Sequence, residues 1–118
     1  MNIIRLNQTS PDFYMLMGPV FGSRQVDKDT KDRFYDDPGK QWYLIPGKGA
    51  ASVKDGVLRN FWAQEEKDAQ TLIEAMLQDY PALTGVAPLC YRDAFYRAGF
   101  LTVLYRKNFV EVSRYEAD

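Results

Sequence analysis

A short amphipathic stretch that halts at a glycine and runs straight into an apolar strand, Cys90-Tyr91-Arg92-Asp93-Ala94-Phe95-Tyr96-Arg97-Ala98-Gly99-Phe100, limits most what this chain can fold into. Tyr91, Ala94, Phe95 and Ala98 recur at spacings of three, one and three, which draws one apolar stripe along a helix while Arg92, Asp93 and Arg97 face water. Gly99 then stops it, because the residue just past a helix end often needs positive φ, which glycine adopts without a Cβ penalty. Phe100 becomes the first residue of a strand. A short helix delivered onto an apolar strand calls for a sheet to pack against, and the rest of the chain supplies one.

Asn2 to Asn7, short and β-branched, reads as a first strand. Ser10-Pro11 is a helix start, with serine as cap and proline in the first turn, and Phe13, Leu16, Met17, Val20 and Phe21 follow at helical spacing. Gly18-Pro19 predicts a kink or break, with a second helical segment from Asp27 to Phe34. The period then becomes extended through Trp42–Ile45, Ala50–Val53 and Val57–Ala63, with Asp55-Gly56 as a two-residue hairpin signal. Ala69, Leu72, Ile73, Met76, Leu77 and Tyr80 form the cleanest helical stripe, in a helix from Glu65 to Tyr80 that Pro81 cannot continue. Leu83–Leu89 is a strand whose Gly85 and Pro88 suggest an edge or a splayed end. The tail divides into strands Phe100–Arg106 and Phe109–Tyr115 around a turn at Lys107-Asn108. The fold class is therefore α/β (α+β): a single domain over 1–118, one mixed, mostly antiparallel sheet of about seven strands, with helices on both faces.

The chain contains no histidine, which removes Ser-His-Asp and Cys-His catalysis and histidine-ligated zinc. Fifteen basic and sixteen acidic side chains give a formal net charge of −1, so no global field attracts nucleic acid or an anionic membrane. The basic residues Arg92, Arg97, Arg106, Lys107 and Arg114 are interspersed with acids and read as a solvated face. The single Cys90 cannot form an intrachain disulfide, no run approaches a membrane span and no signal peptide is visible, so a cytoplasmic location is expected. Asp36-Asp37 before Pro38-Gly39 reads as a solvated turn, and no metal is expected. Tyr14, Tyr35, Trp42, Tyr43, Trp62 and Tyr91 are aromatics that either line a pocket or fill the core.

The order of elements resembles the GNAT superfamily of N-acetyltransferases across almost the whole chain. The closest local match is Ala98-Gly99-Phe100, similar to the Gly-Phe that closes the family's penultimate helix and enters a strand. The resemblance implies an acetyl-CoA site in the V between strands Val57–Ala63 and Leu83–Leu89, with the pyrophosphate on backbone amides at the start of helix Glu65–Tyr80. It carries cofactor contacts onto Trp62, Ala63, Gln64, Lys67, Ala69, Gln70 and Thr71, with the backbone amides of Trp62 to Gln64 orienting the thioester carbonyl. Of the family's Gln/Arg-x-x-Gly-x-Gly/Ala loop, Gln64-Glu65-Glu66-Lys67-Asp68-Ala69 keeps the first and last positions, and Lys67 replaces the central glycine.

The family often places a tyrosine four residues before the closing glycine to protonate the departing thiolate. Here that position is Phe95, and Tyr96 is the neighbouring hydroxyl assigned as the catalytic acid. The implied activity is transfer of an acetyl group from acetyl-CoA to an amine, on a small molecule or a protein, with a water-relayed base. The alternative is a GNAT-fold domain without catalysis that serves as a binding or regulatory module. A homodimer is left open by either reading.

Overall fold

The computed structural model describes residues 3–115. Its elements run β1 (Ile4–Leu6), α1 (Phe13–Phe21), α2 (Arg24–Thr30), β2 (Gln41–Ile45), β3 (Gly49–Lys54), β4 (Val57–Ala63), α3 (Glu66–Asp79), β5 (Thr84–Pro88), α4 (Arg92–Arg97), β6 (Leu101–Arg106) and β7 (Phe109–Ser113), with a 3-10 turn, Leu89–Tyr91, leading into α4. The seven strands form one sheet in the order β1-β2-β3-β4-β5-β7-β6. Every neighbouring pair is antiparallel except β4 and β5. The mixed, mostly antiparallel sheet expected from the sequence is thus the architecture observed. Asn2, expected in the first strand, lies outside the described residues.

Two apolar cores hold the helices to opposite faces. On one face Ala69, Leu72, Ile73 and Met76 of α3 and Ala94 and Phe95 of α4 pack on Tyr43, Val53, Phe61, Ala87 and Val110. On the other, Phe13, Met17 and Val20 of α1 and Val26 of α2 pack on Trp42, Leu44, Ala50 and Trp62. The α3 stripe is buried as its spacing predicts, though Leu77 and Tyr80 at its far end are only partly covered. Asp55 and Gly56 both adopt positive φ, 54° and 75°, the pair of left-handed residues that a two-residue hairpin of matching twist requires. Gly99 has φ 89°, as the cap after α4 demands.

The N-terminal helices depart from the sequence reading in three ways. Ser10-Pro11 belongs to a turn, and the residue capping α1 is Asp12 in a left-handed conformation (φ 63°). Helix α1 then passes through Pro19 without a break. Pro19 and Met15, whose carbonyl loses its amide partner, share the exposed side of the helix, so water replaces one bond while the buried stripe keeps its contacts. Helix α2 begins three residues early because Ser23 Oγ accepts a hydrogen bond from the Val26 amide (3.1 Å), and it ends at Lys31, whose φ of 57° turns the chain back. Asp32 to Phe34 are therefore loop, with Phe34 dropped into the core.

Candidate active site

The parallel pair β4 and β5 is joined only at Val57↔Thr84 and Leu58↔Gly85. Beyond that the strands separate. The cause lies in β4, where Ser52 pairs with Asn60 and Val53 with Leu58, leaving Arg59 as an extra residue. Such a bulge bends its strand and increases the local twist, which carries Asn60 to Ala63 away from β5. It also resets the alternation, so that Leu58 and Phe61 both point into the α3/α4 core while Trp62 joins the core under α1 and α2. At the last paired position the strands approach so closely that a Cβ on Gly85 would lie 2.5 Å from Leu58 Cβ.

A cleft opens on each face of this gap. The first, about 340 Å³, is lined by Ala63 and Gln64 at the end of β4, Glu65, Glu66 and Ala69 at the start of α3, and Cys90, Tyr91, Asp93, Ala94 and Arg97 before and along α4. At its inner end the Tyr91 hydroxyl donates to the Ala63 carbonyl (3.0 Å) and accepts from the Ala63 amide (3.1 Å). These are backbone groups of β4 where no β5 partner remains, so the hydroxyl stands in for the missing strand. Burial raises the Tyr91 pKa well above its ordinary value, and Cys90 is likewise pushed up by burial. At the outer end Arg97 pairs with Glu66 across the cleft, and Gln70 Nε2 reaches the Ala94 carbonyl (3.5 Å) to tie α3 to α4. The first turn of α3 satisfies part of its own donor capacity, since the buried Asp68 carboxylate accepts from the Glu65 amide (3.2 Å).

Of the residues assigned to the cofactor from the sequence, Ala63, Gln64 and Ala69 line this cleft. Lys67 lies 3.9 Å from Glu65 on the solvent side, and Thr71 spends its hydroxyl on the Lys67 carbonyl (2.8 Å). Trp62 faces the opposite side of the sheet, where its indole donates to Asp29 (3.2 Å). Tyr96 is 70% exposed and does not line the cleft, while Phe95 is fully buried against Phe61 and Phe100. The hydroxyl inside the cleft belongs to Tyr91, one helical turn before Phe95 on the same stripe. That i, i+4 relation is the signal that could have singled it out.

The second cleft, about 330 Å³, lies on the other face, between the loop after α2 and the half-sheet β5-β7-β6, which no helix covers there. Leu58, Phe61, Val86, Pro88, Tyr105 and Phe109 give it apolar walls, and its charged groups are Asp32, Arg59 and Arg106. An aromatic contact connects the walls of the two clefts, Phe61 lining the second and Tyr91 the first, with ring centroids 5.1 Å apart at an interplanar angle of 66°.

Asp32 is held by a buried polar chain that has no local signature among neighbouring residues. Lys40, only 5% exposed, places its ammonium over the rings of Tyr35 (4.5 Å) and Trp42 (5.3 Å) and donates to the Tyr35 carbonyl and to Asn60 Oδ1 (3.0 Å each). Ser52 Oγ donates to the same Asn60 oxygen (2.6 Å), which fixes the amide so that its nitrogen donates to Asp32 Oδ2 (3.2 Å). The Arg33 amide donates to Asp32 Oδ1 (2.8 Å). Burial raises the Asp32 pKa against the opposing effect of the Asn60 bond, and burial lowers that of Lys40. Asp36 and Asp37, by contrast, are met by Trp42 Nε1 (3.3 Å) and Lys54 (3.0 Å).

No family model matches this sequence, and neither curated proteins nor solved structures give a match to it. Among the described residues no helix is long and apolar enough to cross a membrane.

Proposed function

We propose that this protein is an N-acyltransferase of GNAT type, taking an acetyl group from acetyl-CoA and passing it to an amine. One observation carries the reading: a parallel strand pair, split by a bulge at Arg59, with a cleft on each face and the touching rings of Phe61 and Tyr91 in their facing walls. Direct transfer brings two ligands to one point from opposite sides, and in this reading the Phe61–Tyr91 contact parts to join the two clefts.

In this scheme the thioester enters the first cleft as an extended chain and takes over the Ala63 amide and carbonyl in the manner of an added strand, displacing the Tyr91 hydroxyl. The amine enters the second cleft as its ammonium, gives up one proton to solvent, and its nitrogen lone pair then attacks the carbonyl carbon. The C–N bond forms, the C–S bond breaks, and the sulfur leaves with the bonding pair. The nitrogen sheds a proton to solvent, and the freed Tyr91 hydroxyl supplies one to the thiolate and regains it from solvent. Tyr91 takes the role that the sequence reading gave to Tyr96, whose hydroxyl stands in solvent.

The residues present fit the donor unevenly. The unpaired edge of β4 suits the amide-bearing arm, and among the described residues Arg97 is the one basic side chain lining the first cleft. Glu65 and Glu66 crowd the place where pyrophosphate would lie at the helix start. This acidity favours a second reading, a domain of the same fold that binds a partner without catalysis.

A melting curve with acetyl-CoA separates the two. At ten times its Kd a ligand adds about 1.4 kcal/mol, roughly 5 °C at this chain length. Glu66→Gln, which releases Arg97, should enlarge the shift, and Arg97→Ala should shrink it. No shift with wild type or Glu66→Gln, and no acetylation across a panel of amines, would leave the binding-module reading standing.

A further inference from the structure

The second cleft holds one carboxylate and two guanidinium groups inside apolar walls. The Asp32 carboxylate is fixed in place, since each of its oxygens accepts one hydrogen bond from the protein, yet each keeps a lone pair for another donor. Behind it Asn60 is itself locked by Ser52 and Lys40, so the carboxylate has a defined direction before any ligand arrives. Arg59 and Arg106 have no carboxylate partner within 4.0 Å among the described residues. The Arg106 guanidinium rests over the Tyr105 ring at 4.9 Å.

This charge set discriminates among ligands. A simple cationic amine would meet Asp32 but also two arginines that repel it. A simple anion would meet the arginines but also Asp32. A zwitterion with its charges on one carbon and an apolar remainder answers all three groups and the walls at once. We infer that this cleft binds a free amino acid with an apolar side chain: ammonium on Asp32, carboxylate toward Arg59 and Arg106, side chain among Phe61, Tyr105 and Phe109. As the acceptor in acyl transfer the amino acid rests on the reading above. As a ligand of this cleft it does not, and acetyl-CoA is therefore left out of the test.

The test is calorimetric titration of the full chain with L-phenylalanine, phenethylamine, which lacks the carboxylate, and N-acetyl-L-phenylalanine, which lacks the ammonium. L-Phenylalanine is expected to bind at least about tenfold more tightly than either truncated compound, each of which forfeits about 1.4 kcal/mol of charge-assisted bonding. Asp32→Asn should erase the preference over N-acetyl-L-phenylalanine, and Arg106→Gln should reduce that over phenethylamine. The wild-type comparison stands even where a variant fails to fold. Equal binding of the three compounds, or none, would overturn the inference. Phenethylamine matching L-phenylalanine would also overturn it, by removing the role of the arginines. If L-phenylalanine binds while the separate acetyl-CoA melting curve shows no shift, acyl transfer falls and the amino-acid site stands; an acetyl-CoA shift without L-phenylalanine binding does the reverse.

Discussion

Tyr91→Phe tests the first cleft most sharply, because stability, affinity and turnover should move in different directions. The substitution keeps the ring, and with it the edge-to-face contact to Phe61 at 5.1 Å. It deletes one hydroxyl that makes two hydrogen bonds, to the carbonyl and from the amide of Ala63. A net hydrogen bond contributes about 0.5–1.5 kcal/mol, and because Ala63 lines an open cleft, water can reach the two orphaned groups, so a loss of about 1–2 kcal/mol is expected. At this chain length that is a fall of roughly 4–8 °C in Tm. If an acyl-CoA arm must displace the hydroxyl from Ala63, the same loss reappears as gained affinity, so acetyl-CoA should bind about 5- to 30-fold more tightly to the variant. If the freed hydroxyl then protonates the thiolate, kcat should fall by about 100-fold or more. The assays are a melting curve, a titration and a thiol-release rate on one pair of proteins. A variant with unchanged Tm, or one that binds acetyl-CoA more weakly than wild type, would refute the reasoning, since either result means that the hydroxyl is not the occupant of the donor's place.

Leu72→Ala should cost about 2–5 kcal/mol by denaturant unfolding, because Leu72 is fully buried under α3, and Leu77→Ala should cost less because Leu77 is only partly covered. Gly85→Ala should leave little folded protein, since its methyl would sit 2.5 Å from Leu58 Cβ and from the Leu58 carbonyl. Gly47→Ala, at φ 73° in open space, should lose only about 1–2 kcal/mol on the same unfolding curve. The Asp79 carboxyl is held below its usual pKa by the Tyr43 hydroxyl (2.6 Å) and by Arg5 (2.9 Å). Its contribution is therefore present above the unfolded value near 4 and lost as pH falls through the lower folded value, so stability measured from about pH 5 downward should decline more steeply in wild type than in Asp79→Asn.

What the sequence disclosed was local, and what it hid depends on contacts between distant residues. The stop at Gly99, the Asp55-Gly56 hairpin and the α3 stripe are each written in a few neighbouring side chains, and all three stand as read. The start of α2 was equally local and was missed, because Ser23 three residues before Val26 is a cap signal that the longer apolar spacing obscured. Asp32 was hidden by that error: it falls inside the helix expected from Asp27 to Phe34, whereas in the loop it turns back to Asn60, twenty-eight residues away. Tyr91 was visible through its i, i+4 relation to Phe95 on the stripe, but the bond to Ala63 that gives it its place spans twenty-eight residues and has no local signal. The bulge has no signature at all. Arg59 is an ordinary strand residue until β3 is laid beside it and one residue is found to be unpaired.

That unpaired residue ties the two clefts together. Had β4 kept strict alternation, Leu58 and Phe61 would have faced opposite sides of the sheet, because three residues separate them. With Arg59 inserted they share a side, Phe61 meets Tyr91, and Asn60 falls where Lys40, Ser52 and Asp32 converge on it. The same insertion bends β4 away from β5, exposing the Ala63 amide and carbonyl that Tyr91 then occupies. One residue thus separates the strands, orients the group that guards the first cleft and aims the amide that holds the carboxylate of the second. Gly85 completes the device from the other strand, since only a residue without a side chain lets β5 approach Leu58 closely enough to make the bulge the point of divergence. The two strands are therefore pinned together at one end so that they open at the other. The chemistry proposed for this protein lies in that opening, between a tyrosine and an aspartate that reach it from opposite faces of the sheet.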